Sequence, residues 1–132
     1  MIFVDSSVWI DYFNGRDTAP VSTLDRMLGN EPLLVGDIVL AEVLQGFRRD
    51  KDFRVARSLL TSFPVARVLN EHVAIQSARN FRALRKKGLT VRKTVDSIIA
   101  TFCMINDHVL LHDDRDFDAF EAALGLTTAR YL

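Results

Sequence analysis

Three short apolar runs stand far apart in the chain, and each meets a carboxylate within two positions: Ile2-Phe3-Val4 before Asp5, Leu33-Leu34-Val35 before Gly36-Asp37, and Val109-Leu110-Leu111 before His112-Asp113. Runs this short, without polar alternation, suit strands buried on both faces, as in a parallel sheet covered by helices. Parallel neighbours need crossover connections, and the intervening sequence supplies helical periodicity. Ser6 or Ser7 is expected to cap a helix reaching Phe13, which Asn14-Gly15 breaks. Val21, Leu24, Met27 and Leu28 have helical spacing, stopped by Gly29-Asn30. Asp37 is the expected N-cap of a helix running to Phe47, and Phe53 to Phe63 reads as another, ended by Pro64. A short strand is expected near positions 65–68. From Val73 to Lys87 the pattern is amphipathic, with Val73, Ala74, Ser77, Ala78, Phe81 and Leu84 inward and Gly88 closing it. Thr94 is the expected cap of a helix over 95–105, a further helix covers 117–124, and 127–131 reads as an edge strand. The pattern predicts an α/β fold, a three-layer α/β/α sandwich around a mostly parallel sheet. With no repeat, linker or low-complexity tract, residues 1–132 are expected to form one domain.

In such a sheet, ligands bind beyond the carboxyl ends of the strands. Asp5 is placed there directly, and Asp113, Asp114 and Asp116 follow the last apolar run closely enough to share that edge. Glu42 lies inside Ile38-Val39-Leu40-Ala41-Glu42-Val43-Leu44, and Asp96 begins Asp96-Ser97-Ile98-Ile99-Ala100. A carboxylate among apolar residues is costly unless something compensates it, and Glu42 has no lysine or arginine within a helical turn. Taken alone, Asp96 reads equally as a complement to its helix dipole, and Glu42 as a residue reaching solvent or a distant arginine. As a set, Asp5, Glu42, Asp96 and Asp114 suit a hard divalent cation, Mg²⁺ or Mn²⁺, which takes oxygen ligands. Zinc is not indicated: His72, His108, His112 and Cys103 lack ligand spacing.

The net charge is zero, but its distribution is uneven. Between His72 and Val95 there is no acid, while Arg79, Arg82, Arg85, Lys86, Lys87, Arg92 and Lys93 all lie there. From Asp107 to Glu121 the balance reverses. Juxtaposed basic and acidic blocks fit a site for metal plus polyanion. Arg79, Arg82 and Lys86 share one helical face, which is equally an ordinary solvated face. Arg92 and Lys93, just before Asp96, are the stronger candidates for contacts to such a polyanion. A single cysteine fits a reducing compartment, no run approaches the ~20 apolar residues of a membrane span, and the opening run lacks a basic leader. A cytoplasmic location, away from membranes, is therefore expected.

Four motifs resemble the PIN-domain ribonucleases, and among them the VapC-type toxins of prokaryotic toxin–antitoxin pairs. They are Val4-Asp5-Ser6-Ser7-Val8-Trp9-Ile10-Asp11-Tyr12, Leu40-Ala41-Glu42-Val43-Leu44-Gln45-Gly46, Gly88-Leu89-Thr90-Val91 followed by Asp96-Ser97-Ile98-Ile99-Ala100, and Leu110-Leu111-His112-Asp113-Asp114-Arg115-Asp116-Phe117. Ser6 stands where the family often has threonine. Together they span the chain in order. The resemblance implies a Mg²⁺- or Mn²⁺-dependent endoribonuclease with catalytic acids Asp5, Glu42, Asp96 and Asp114. Asp5, Asp96 and Asp114 would hold the metal, with Ser7 and Asp116 in support. It further implies an RNA substrate, a homodimer, a VapB-type antitoxin partner and a higher assembly with it. Trp9, Tyr12, Phe13 and Phe47 read either as interface aromatics or as core.

Two other enzyme classes fit less well. A receiver-type domain wants adjacent acids after the first strand and a lysine after a late one, and a haloacid-dehalogenase-like phosphatase wants a second aspartate where Ser7 stands. The non-enzymatic alternative is a PIN-like module that binds RNA or protein without cutting.

Overall fold

A computed structural model describes residues 1–129. Four strands, β1 (Ile2–Val4), β2 (Leu33–Gly36), β3 (Val65–Ala66) and β4 (Val109–Leu111), form one sheet in the order β3-β2-β1-β4. Every pairing is parallel, with Ile2 beside both Leu33 and Val109. The β1 and β4 cores are fully enclosed at Phe3, Val4, Leu110 and Leu111, as unalternating apolar strands require.

The first crossover carries α1 (Ser6–Phe13) and α2 (Ala19–Met27), the second α3 (Asp37–Leu44) and α4 (Asp50–Leu60). Helix α1 packs on α2 and α3, and α3 on α4. After β3 the chain returns through α5 (Glu71–Lys86) and α6 (Thr94–Ile105), which pack on each other; α7 (Asp118–Leu124) packs on α5. The sheet is flanked by helices, as the sequence predicts. From β1 the chain proceeds outward through β2 to β3, then jumps to the opposite side of β1 for β4. The strand order therefore reverses between β1 and β4, the point at which an open α/β sheet leaves a crevice for ligands.

Local chemistry relocates several caps. Asp5, not Ser6 or Ser7, caps α1: its backbone is extended and its side chain accepts from the Ser7 N–H. Gly36 occupies the N-cap position of α3, while Asp37 Oδ1 accepts from the N–H groups of Ile38 (2.8 Å) and Val68 (3.1 Å), fastening α3 to the chain after β3. Gly36 is sterically required, because a Cβ there would stand 2.6 Å from Phe3 and 2.8 Å from Val68. The cap position of α6 is Lys93, with no side-chain cap bond, and Thr94 is the first helical residue.

Helix α4 starts earlier than its apolar pattern suggests, since Asp50 and Asp52 favour its positive end. It stops at Leu60, and the Thr61 and Ser62 hydroxyls then bond Arg57 and Leu59 carbonyls. On α5, Val73, Ser77 and Leu84 are buried as expected, but Ala74 and Ala78 are exposed. They line a hollow of about 400 Å³ between α5 and α6 instead of meeting the core. The final strand is reduced to a parallel bridge between Thr128 and Leu110; positions 130 and 131 of the expected strand lie outside the described residues. Trp9 is wholly buried, with ring neighbours Tyr12, Phe13 and Phe63, and so belongs to the core rather than to a free surface. Among the described residues, no helix is long and apolar enough to cross a membrane.

Candidate active site

The β1–β4 crevice is where the acids gather. Asp5 follows β1 and its N–H donates to the Leu111 carbonyl at 2.9 Å, so the ends of the two strands are joined at the site. Ser7 completes the junction. Its N–H and hydroxyl both donate to Asp5 Oδ2, at 3.1 and 2.6 Å, and its Oγ accepts from the Asp113 N–H at 3.0 Å. One serine thereby locks the Asp5 rotamer and the loop after β4 together.

Beyond β4, Asp114 begins a short 3₁₀ turn (Arg115–Phe117). Its Oδ1 accepts from the Asp116 N–H at 2.9 Å, and its own N–H donates to His112 Nδ1 at 3.2 Å. Opposite stands the first turn of α6 with Asp96. Carboxylate oxygens of Asp96, Asp114 and Asp116 all lie within 4.8 Å of one another. The sequence ranks Asp116 as a supporting residue, whereas the fold brings one of its oxygens within 4.8 Å of those of Asp96 and Asp114.

Two cations reach into this group. Lys93 Nζ donates to Asp114 Oδ2 at 2.9 Å and lies 3.6 Å from Asp96 Oδ2, an ion-pair distance too long for a hydrogen bond. Arg92 Nε meets Asp116 Oδ1 at 3.3 Å. Both residues sit beside the acids, as their position before Asp96 predicts, although each is engaged with a carboxylate. The exposed face of α5 carries Arg79, Arg82 and Lys86.

The electrostatics follow from burial and repulsion. Burial raises the Asp96 carboxyl to about 7; Lys93 opposes the shift, while Asp114, Asp5 and Asp116 add to it. Asp5 is raised by burial, partly offset by the Ser7 hydrogen bonds. Glu42, on α3, is raised by burial and then by the Asp5 charge, against a hydrogen bond from Ser6 and the pull of Lys93. Burial pushes Asp114 up as well, but the Asp116 N–H and Lys93 outweigh it and leave it below its ordinary value. Asp5 thus feels the charge of Asp114, and Glu42 that of Asp5, but the trio with oxygens within 4.8 Å of one another is Asp96, Asp114 and Asp116, with Asp5 and Glu42 outside it.

Three carboxylate oxygens here are buried without a hydrogen-bond partner: Glu42 Oε1, Asp96 Oδ2 and Asp116 Oδ2. An unsatisfied buried carboxylate oxygen is costly, and two of these, on Asp96 and Asp116, belong to the trio with Asp114 whose oxygens lie within 4.8 Å, a donor set that a hard divalent cation takes. The residues therefore fit Mg²⁺ or Mn²⁺. Beside them Ile10, Phe13, Glu42, Val43 and Phe47 line a small cleft of about 110 Å³. The larger hollow between α5 and α6 is lined by none of these acids, and its size says nothing about the chemistry. Ser6 and His112 escape a reading of the sequence, since neither a buried serine beside a glutamate nor a histidine supporting a turn has a distinctive spacing.

A parallel sheet ending in an acidic crevice at its switch point defines a class of fold and site, and comparison with known proteins supplies the family. The PIN domain family matches residues 2–123, and the chain belongs to it. Ribonuclease VapC11 of Mycobacterium tuberculosis is 26% identical over 133 aligned positions, covering 99% of each protein. Among solved structures, VapBC2 from Rickettsia felis bound to a DNA fragment from its promoter superposes with a TM-score of 0.76 at 16% identity over 100% of both chains. VapC20 of Mycobacterium tuberculosis, described as a sarcin–ricin loop cleaving toxin, gives 0.70 at 22% identity, covering 98% of this chain and 99% of that one. The resemblance carried by the four motifs is upheld along the whole described sheet.

Proposed function

We propose that the chain is a Mg²⁺- or Mn²⁺-dependent endoribonuclease, the toxin of a toxin–antitoxin pair. One observation carries the metal-dependent part: oxygens of Asp96, Asp114 and Asp116 lie within 4.8 Å of one another, and Asp96 Oδ2 and Asp116 Oδ2 are buried without a hydrogen-bond partner. The ribonuclease name of its sequence relatives supports the substrate class. Solved neighbours that are toxin–antitoxin complexes support a VapB-type partner. Homodimerisation, and a higher assembly with the antitoxin, belong to the same proposal.

Asp5, Asp96 and Asp114 would hold the ion, and Asp116, with an oxygen within 4.8 Å of Asp96 and Asp114, would join them. When bound, the ion supplies positive charge against the scissile phosphate and acidifies water. Glu42, with its pKa raised by burial, is suited to accept a proton from the attacking water or to orient it. The water oxygen bonds to phosphorus, the P–O3′ bond breaks, and the departing O3′ takes a proton from solvent, giving a 5′-phosphate and a 3′-hydroxyl. Ser7 keeps the Asp5 carboxylate in place throughout. Arg92 and Lys93, whose side chains are largely exposed, are placed to meet the RNA backbone once their carboxylates are otherwise engaged.

The test is direct. Purified chain, free of any partner, is incubated with total RNA in Mg²⁺ or in EDTA. Discrete fragments are expected only with Mg²⁺ and only when Asp96 is intact. RNA left whole in Mg²⁺ refutes the reading and leaves a non-cutting module that binds RNA or protein.

A further inference from the structure

The acid cluster already contains a cation of the chain's own making. Lys93 Nζ takes Asp114 Oδ2 at 2.9 Å and stands 3.6 Å from Asp96 Oδ2, one of the oxygens that lacks a hydrogen bond. Lys93 also holds the N-cap position of α6, where it provides no side-chain cap. Its ammonium is directed at acids brought from β4, about twenty positions along the chain. Arg92 behaves differently, meeting Asp116 Oδ1 and leaving Oδ2 open. The two basic neighbours are therefore not equivalent: one occupies oxygens a metal would need, and the other stays at the rim.

We propose that Lys93 is a resident counter-ion of the Asp96–Asp114 pair, which holds the site together when metal is absent and must be displaced when a divalent ion enters. This rests on the metal-dependent reading above. The chemistry of lysine suits the role. An ammonium is a compact charge on a flexible stem and can withdraw without disturbing the backbone. With its side chain 58% exposed, it has solvent to withdraw into. A divalent ion brings twice the charge at closer approach, about 2.1 Å for magnesium, and so outcompetes the ammonium, but with an affinity lowered by the displacement. Lys93 is a positioning residue in this account, acting through Asp96 and Asp114.

Mn²⁺ titration by calorimetry distinguishes the possibilities. The wild-type chain is compared with Lys93→Met, which keeps the length and removes the charge, and with Lys93→Arg, which keeps the charge. Asp96→Asn serves as the control for the metal site. Lys93→Met is expected to bind Mn²⁺ about ten-fold more tightly than wild type, the gain being limited by solvent screening of an exposed pair. Lys93→Arg is expected to match wild type or bind more weakly, and Asp96→Asn to lose binding. Melting in EDTA gives an independent readout: Lys93→Met should melt below wild type and recover more on Mn²⁺ addition. If Lys93→Met does not fold, Lys93→Gln replaces it with the same expectation. Equal or weaker binding by the neutral variant, with wild type binding and Asp96→Asn not, overturns the counter-ion role and leaves the metal site standing. No Mn²⁺ binding by wild type or by the neutral variant overturns the metal reading itself.

Discussion

Replacing Asp96 by asparagine should stabilise the metal-free protein while abolishing cleavage, and the stabilisation should depend on pH. Asparagine has the shape of the protonated acid and cannot ionise. In the folded chain the Asp96 carboxyl is raised to about 7 from an ordinary 3.8, so the native state binds this proton more tightly than the unfolded state. Stability from this group is complete below pH 3.8 and is lost as pH rises through about 7. At ~1.36 kcal/mol per pH unit, the full loss above pH 7 has a ceiling of about 4 kcal/mol. Water reaches the cluster at Asp114, so about half of that, or about 2 kcal/mol, is a sounder expectation. For a domain of this length the corresponding rise in Tm is about 8 °C. The assay is thermal melting in EDTA from pH 4 to pH 8.5. The two proteins should coincide at the acidic end and diverge above neutrality, with the variant higher. Saturating Mg²⁺ should reverse the order, because only the wild type gains from binding, by about 2.7 kcal/mol at one hundred times Kd. A variant less stable than wild type at pH 8 in EDTA, or a gain independent of pH, would refute the electrostatic account.

Ser7→Ala removes the hydroxyl that donates to Asp5 at 2.6 Å and accepts from Asp113; cleavage should slow about ten-fold, the loss of one charge-assisted hydrogen bond, and Ser7→Thr should recover most of the rate in a single-turnover assay. Unchanged cleavage by Ser7→Ala would show that Asp5 needs no such tether. Gly36→Ala forces a Cβ against Phe3 and Val68 and should cost about 1–3 kcal/mol in urea denaturation, whereas a change below ~0.5 kcal/mol would mean that the two side chains yield freely.

The sheet was legible because its evidence is local: β1, β2 and β4 are bare apolar runs too short for a buried helix, and a covered parallel sheet buries such runs on both faces. The acids were legible for a related reason, since a carboxylate such as Glu42 in an apolar helix needs compensation wherever the helix lies. Caps were less legible. Asp5, Ser6 and Ser7 are all competent cap residues, and only the extended backbone at the end of β1 selects the first. Ala74 and Ala78 were misplaced because a small apolar side chain loses little by facing solvent, and whether anything covers that face of α5 is decided by distant elements. The rank of Asp116 depended on the 3₁₀ turn that swings it toward Asp96. Lys93 was correctly placed beside the site, but its pairing with Asp114 spans 21 positions and leaves no trace in local spacing.

The double duty of Asp5 has a mechanical consequence. Both Ser7 bonds fall on Oδ2, so this one oxygen, and with it the carboxylate, is bolted to the first turn of α1. A helix of eight residues thereby becomes the mount for a single atom. Any force that slides or tilts α1, wherever on its length it is applied, arrives at that oxygen as a change of aim.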